Sequence, residues 1–154
     1  MAQWAMGEKA RGYAHRVDID ADAGVVWRAF TEEPLLARWC CPGVEMQPRQ
    51  GGLFRARVDR VTELEAHIDV FEPGRRLRLI YLPNPQLPPA DSVITDDFLL
   101  DAVPDGTIVR LLGSGIPATP AWEAQYLRLR TGWLQALNRL KIILEAGPGT
   151  GGRP

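Results

Sequence analysis

Hydrophobic and polar residues alternate through much of the first two thirds of the chain. From Tyr13 to Asp20, Val17 and Ile19 fall on one face while Arg16, Asp18 and Asp20 fall on the other, the period-two signature of a half-buried strand. The pattern then changes. Asp22 is placed as an N-cap ahead of Val25, Val26, Trp27, Ala29 and Phe30, and Thr31-Glu32-Glu33-Pro34 reads as a break and restart with Pro34 at a first helical position. Two short helices are therefore expected, the second carrying Leu35, Leu36 and Trp39 and ending at Cys41-Pro42-Gly43. Val44 to Gln47 can form a short edge strand before a turn at Gln50-Gly51-Gly52.

Alternation returns from Leu53 onward. Phe54, Ala56 and Val58 oppose Arg55, Arg57 and Asp59, and Leu64, Ala66, Ile68 and Val70 oppose Glu63, Glu65, His67 and Asp69. One face is wet and the other dry, as in an antiparallel sheet with one solvated side. Glu72-Pro73-Gly74 is a turn, after which Leu77, Leu79 and Tyr81 alternate with Arg76 and Arg78. A proline-rich loop, 83–89, precedes two further strands, expected at Ser92–Ala102 and Thr107–Leu112 and joined by Pro104-Asp105-Gly106. The last element is a helix from about Thr119, an N-cap followed by Pro120, to Ala146, just before Gly147-Pro148-Gly149. At ~100° per residue, Trp122, Tyr126, Trp133, Leu137, Leu140 and Leu144 share one stripe, which lays this helix along the sheet with its aromatic side inward.

These elements predict an α+β protein of the helix-grip type: a curved antiparallel sheet of six to seven strands around a long C-terminal helix, with two short helices after the first strand. A length of 154 residues suits one domain, expected at 13–146 between a flexible segment, 1–12, and a disordered tail, 147–154. Composition narrows the function. A net charge of −1, with arginines scattered along the chain, leaves no footprint for nucleic acid. No segment has the length and apolarity of a signal peptide or membrane span, so the expected location is the cytoplasm. Cys40 and Cys41 are adjacent, a spacing that disfavours a disulfide and lacks the CxxC pattern of structural zinc, and the two histidines cannot supply a histidine-rich metal site. Glu63, Glu65 and His67 share a strand face but read as an ordinary solvent face. No phosphate-cradling glycine motif is present, and Gly113-Ser114-Gly115 reads as a turn rather than a nucleophile elbow. No metal or cofactor is expected.

Several short motifs carry a resemblance. Val26-Trp27-Arg28-Ala29-Phe30-Thr31, Leu36-Ala37-Arg38-Trp39, Gly51-Gly52-Leu53-Phe54, Phe71-Glu72-Pro73 with Arg75-Arg76-Leu77, Gly106-Thr107, and Gly132-Trp133 before Leu137 and Leu140 follow one another in an order similar to the START/Bet v 1-like (SRPBCC) superfamily, in its branch related to the activator of Hsp90 ATPase. The chain departs from that branch at Cys40, where an aromatic residue is usual. The resemblance implies the helix-grip fold and a cavity between sheet and helix. It also implies three functions: binding a lipid, polyketide or aromatic metabolite, cyclase or hydrolase chemistry on such a molecule, or docking on an Hsp90-type chaperone.

The residues themselves favour the first. Trp39, Phe54, Tyr81, Phe98, Tyr126 and Trp133 are the aromatic positions expected to line the cavity, with the tyrosine hydroxyls orienting an apolar ligand; the plainer reading of each is core packing. Arg130 lies on the same side of the last helix as Tyr126 and Trp133, where its guanidinium would either anchor a ligand carboxylate, reach out to solvent or pair with a carboxylate. Strand parity turns Asp96 inward with Phe98 and Leu100, making it the candidate partner of Arg130 or a group that handles protons. Cys40 is a candidate reactive thiol, or a small buried hydrophobe. The expected partner is a small hydrophobic or amphipathic molecule, and an exposed sheet edge would allow a homodimer.

Overall fold

The computed structural model describes residues 9–57 and 62–146. The chain runs through strand β1 (Ala10–Ile19), helices α1 (Ala23–Thr31) and α2 (Glu33–Trp39), strands β2 (Glu45–Met46), β3 (Leu53–Arg57), β4 (Glu63–Glu72), β5 (Arg76–Tyr81), β6 (Thr95–Val103) and β7 (Gly106–Pro117), and helix α3 (Glu123–Ala146). A 3₁₀ turn, Pro120–Trp122, leads into α3 with Thr119 at its cap. The seven strands form one sheet in the order β1-β7-β6-β5-β4-β3-β2, and the hydrogen-bonded neighbours are antiparallel. This is the helix-grip α+β fold expected from the alternation.

Local chemistry accounts for the short helices. The Asp22 carboxylate accepts from the Gly24 N–H and caps α1, satisfying a donor that the helix itself leaves open. Pro34 occupies the first turn of α2, where its missing N–H costs nothing. The buried face of α1, Val26, Trp27, Ala29 and Phe30, closes over the inward residues of the sheet, among them Ile68, Leu77, Leu79, Phe98, Leu100, Val109 and Leu111. Ala136, Leu137 and Leu140 of α3 complete this core.

Three boundaries differ from expectation. β1 starts at Ala10, so Ala10 and Arg11 of the segment expected to be flexible are paired with β7 and Gly12 sits at a register shift within the strand, while 1–8 and the expected tail, 147–154, lie outside the described residues. β6 begins at Thr95 rather than Ser92. β7 continues through Gly113-Ser114-Gly115, which is strand and not turn. Glycines here answer a need for close approach: a Cβ on Gly113 would lie 2.4 Å from the Tyr13 ring, and Gly115 combines φ +85° with the Val93 carbonyl pressed against it. Ser114 faces outward and shares a hydrogen bond with Thr95 Oγ1 at 2.8 Å. On the solvent face, Arg55 bridges Glu45 and Glu65 at 2.8 and 2.9 Å, so Glu65 belongs to a cross-strand ion-pair ladder.

Candidate ligand-binding site

A cavity of about 440 Å³ opens between the β3–β4 end of the sheet, the α2–β2 junction and α3 from Gln125 to Arg139. Phe54, Ala56, Leu64, Tyr81, Leu87, Leu129, Trp133 and Ala136 supply its apolar wall. Cys40, Cys41 and Pro42 come from the end of α2, and Arg57, Arg128 and Arg139 are its charged lining. Among the described residues, no acidic side chain lines it. Its size and mostly apolar wall suit one small organic molecule. Arg139 also braces the neighbouring backbone. Its guanidinium donates to the Trp39 carbonyl at 3.1 Å and the Cys40 carbonyl at 3.4 Å, satisfying acceptors that the end of α2 leaves open.

Behind this cavity lies a buried acid. Asp96 is 1% exposed and receives the Tyr13 hydroxyl at 2.6 Å and the Tyr81 hydroxyl at 2.7 Å. The sheet register explains how Tyr13 reaches it. Tyr13 pairs with Gly113, and Gly113 pairs with Asp96, so the three residues lie in one row across β1, β7 and β6. The tyrosine must cross roughly two strand spacings, about 10 Å, and it does so over the position where Gly113 has no side chain. Burial raises the Asp96 carboxyl to about 7, against hydrogen bonds from Tyr13, Tyr81 and Trp133 that pull it down. Near neutral pH the group is therefore poised between its two protonation states. Tyr13 and Tyr81 are both pushed above the usual phenol range, first by burial and then by the neighbouring Asp96 charge, so both remain hydroxyl donors.

A model of the Activator of Hsp90 ATPase homolog 1-like protein family matches residues 20–145. The chain belongs to this family. Among solved structures, protein MLL2253 of Mesorhizobium loti is 25% identical with a TM-score of 0.76, the alignment covering 87% of this chain and 96% of that one. The Aha1 dimer of Colwellia psychrerythraea is 22% identical with a TM-score of 0.76, covering 89% and 98%. DynU16, a protein in the dynemicin biosynthetic locus, is 21% identical with a TM-score of 0.69 over 87% of this chain and 47% of its own length. No curated protein matches the chain.

Within this family frame, the residues singled out from sequence separate into five groups. Phe54, Tyr81 and Trp133 line the cavity. Asp96 faces inward as parity required, but its partners are tyrosines and the Trp133 side chain rather than Arg130. Trp39 and Phe98 are core, each 1% exposed: Phe98 packs at 5.1 Å from Phe30 and 5.2 Å from Trp133, and the Trp39 indole donates to the Ala29 carbonyl at 2.8 Å. Tyr126 belongs to a separate cluster with Ile116 and Trp122, its hydroxyl donating to the Gly12 carbonyl at 2.8 Å.

Arg130 is exposed, its guanidinium 5.4 Å from the Tyr126 ring centre and outside the cavity. The buried arc of α3 is displaced toward Leu129 and Ala136, which leaves Arg130 on its opposite rim, where a charged head group finds water. The arginines that do reach the cavity, Arg57, Arg128 and Arg139, were not singled out from sequence as site residues, nor was Tyr13. The signal for Tyr13 was present: it shares the parity of Val17 and Ile19 on β1. Nothing comparable distinguished Arg139 from the other exposed arginines of α3.

Proposed function

We propose that this chain binds a small amphipathic molecule with an anionic group, its apolar body against Phe54, Leu64, Leu129 and Trp133 and its charge toward Arg57, Arg128 and Arg139. The observation that carries this reading is a mostly apolar cavity whose charged lining, among the described residues, is entirely positive. Burial of the body would supply most of the affinity, and the guanidinium groups would select the anion by charge and paired donors. The occurrence of the same fold in DynU16, within the dynemicin biosynthetic locus, supports a small-molecule role. Native mass spectrometry of protein purified from its own host, followed by calorimetry with matched long-chain acids and alcohols, tests it. Acids should bind with clear preference; equal binding of acid and alcohol removes the anionic group from the proposal, and no binding across the panel removes the ligand reading.

A second reading rests on Asp96. Its carboxyl, raised to about 7, hydrogen-bonds the hydroxyl of Tyr81, a residue of the cavity wall. A proton could pass between a bound molecule and Asp96 through Tyr81, the arrangement of a cyclase or hydrolase. Turnover abolished in both Asp96→Asn and Tyr81→Phe, with ligand affinity retained, would support catalysis; turnover unchanged in both would reduce the network to a structural one.

A further inference from the structure

The two adjacent cysteines sit in the cavity wall with their sulfur atoms 2.8 Å apart. Neighbouring side chains on a continuous helix diverge by ~100°. Here Cys40 is the C-cap of α2, with ψ −77°, and the chain turns away through Cys41, Pro42 and Gly43, the last at φ +75°. That exit brings both sulfurs toward one point, within about 0.8 Å of the ~2.05 Å of an S–S bond. Arg139 holds the carbonyls of Trp39 and Cys40 on the same side. Both thiols are partly buried rather than sealed in the core, so a small reagent can reach them from the cavity.

We infer that Cys40 and Cys41 form a two-thiol redox site that closes reversibly to a vicinal disulfide when a hydroperoxide enters the cavity. One of the two sulfurs attacks the distal oxygen of the hydroperoxide, the O–O bond breaks, and the alcohol leaves with the thiol proton, giving a sulfenic acid. The other sulfur then attacks the first; the S–O bond breaks and hydroxide departs with the remaining thiol proton as water. Overall, two thiols and one hydroperoxide give one disulfide, one alcohol and one water. The charge of Arg139, whose guanidinium sits beside both residues, favours the thiolate that begins the sequence.

Adjacent Cα atoms stand about 3.8 Å apart across a trans peptide, closer than the ~4.4–6.8 Å of ordinary disulfides. The closed ring is therefore strained and readily reduced, a property of a switchable site rather than a permanent cross-link. This thiol chemistry is independent of what the cavity binds. It depends only on the thiols meeting at the end of α2.

The test is to treat the reduced full chain with hydrogen peroxide, trap remaining thiols with maleimide under denaturing conditions, and measure the intact mass. The expected product is monomeric, two hydrogens lighter, unlabelled, and returned to the doubly labelled form by prior dithiothreitol. Double labelling after peroxide, an intermolecular disulfide, or a sulfinic acid on one cysteine would each overturn it.

Discussion

Phe98 and Asp96 stand two residues apart on β6, face the same side of the sheet and are equally buried at 1% exposure. Around Phe98 the space is filled by Phe30 and Trp133 in edge-to-face contact and no polar group is required. Around Asp96 the partners are two hydroxyls and the Trp133 side chain, with a glycine across the row to make room for one of the hydroxyls. Trp133 joins the two regions, packing on Phe98 and hydrogen-bonding Asp96 while lining the cavity. One stretch of strand thus carries both a core ring and a buried acid that lies behind the cavity. The difference lies in which partners each side chain meets, not in how deeply it is buried.

The comparison can be broken most forcefully at its apolar end. Phe98→Ala should cost about 3–5 kcal/mol, because it removes a buried ring and leaves a cavity between Phe30 and Trp133; the midpoint of urea unfolding measures it. A loss below about 1 kcal/mol would mean that the aromatic cluster is not the foundation described.

The polar end predicts a pH dependence instead. Below the unfolded-chain value of 3.8, Asp96 is protonated in both states and contributes no pH dependence. As pH rises from about 4 to about 7 the unfolded chain gives up its proton while the folded chain keeps it, so the wild type loses stability. Above about 7 the full penalty is present, about 4 kcal/mol for this displacement. Asp96→Asn should be free of that slope, and the difference between the two proteins from about pH 4 to about pH 8 isolates it.

Smaller effects sharpen the boundary between the regions. Gly113→Ala places a Cβ against the Tyr13 ring and should cost about 1–3 kcal/mol. Tyr13→Phe in the same background should then add less than it does alone, because the Tyr13–Asp96 bond is already disturbed; full additivity in a double-mutant cycle would show that the glycine does not position the tyrosine. Arg130→Ala should change stability by no more than about 0.5 kcal/mol and leave ligand affinity unaltered. Arg139→Ala, by contrast, should weaken an anionic ligand by roughly tenfold or more. Calorimetry on the two variants side by side checks the contrast.

The helix-grip architecture was legible because its evidence is periodic. Alternation such as Leu64, Ala66, Ile68 marks an inward face, and the aspartate and proline that begin the short helices act on their own neighbours. The inward position of Asp96 followed from the same parity. Its partners did not, since Tyr13 lies 83 residues away and meets it only through the pairing of β1, β7 and β6. Helical phase alone left Arg130 open, because a stripe names a side of α3 but not the centre of its buried arc. Adjacent cysteines argued against a disulfide, yet the exit of the chain from α2 turned both sulfurs to one point. What the sequence determined by itself was local: element type, order, caps and the face each strand turns inward. Tertiary structure decided which distant side chains meet, where the cavity opens and which arginines reach it, because those depend on strand register and helix placement, which no nearest-neighbour pattern encodes.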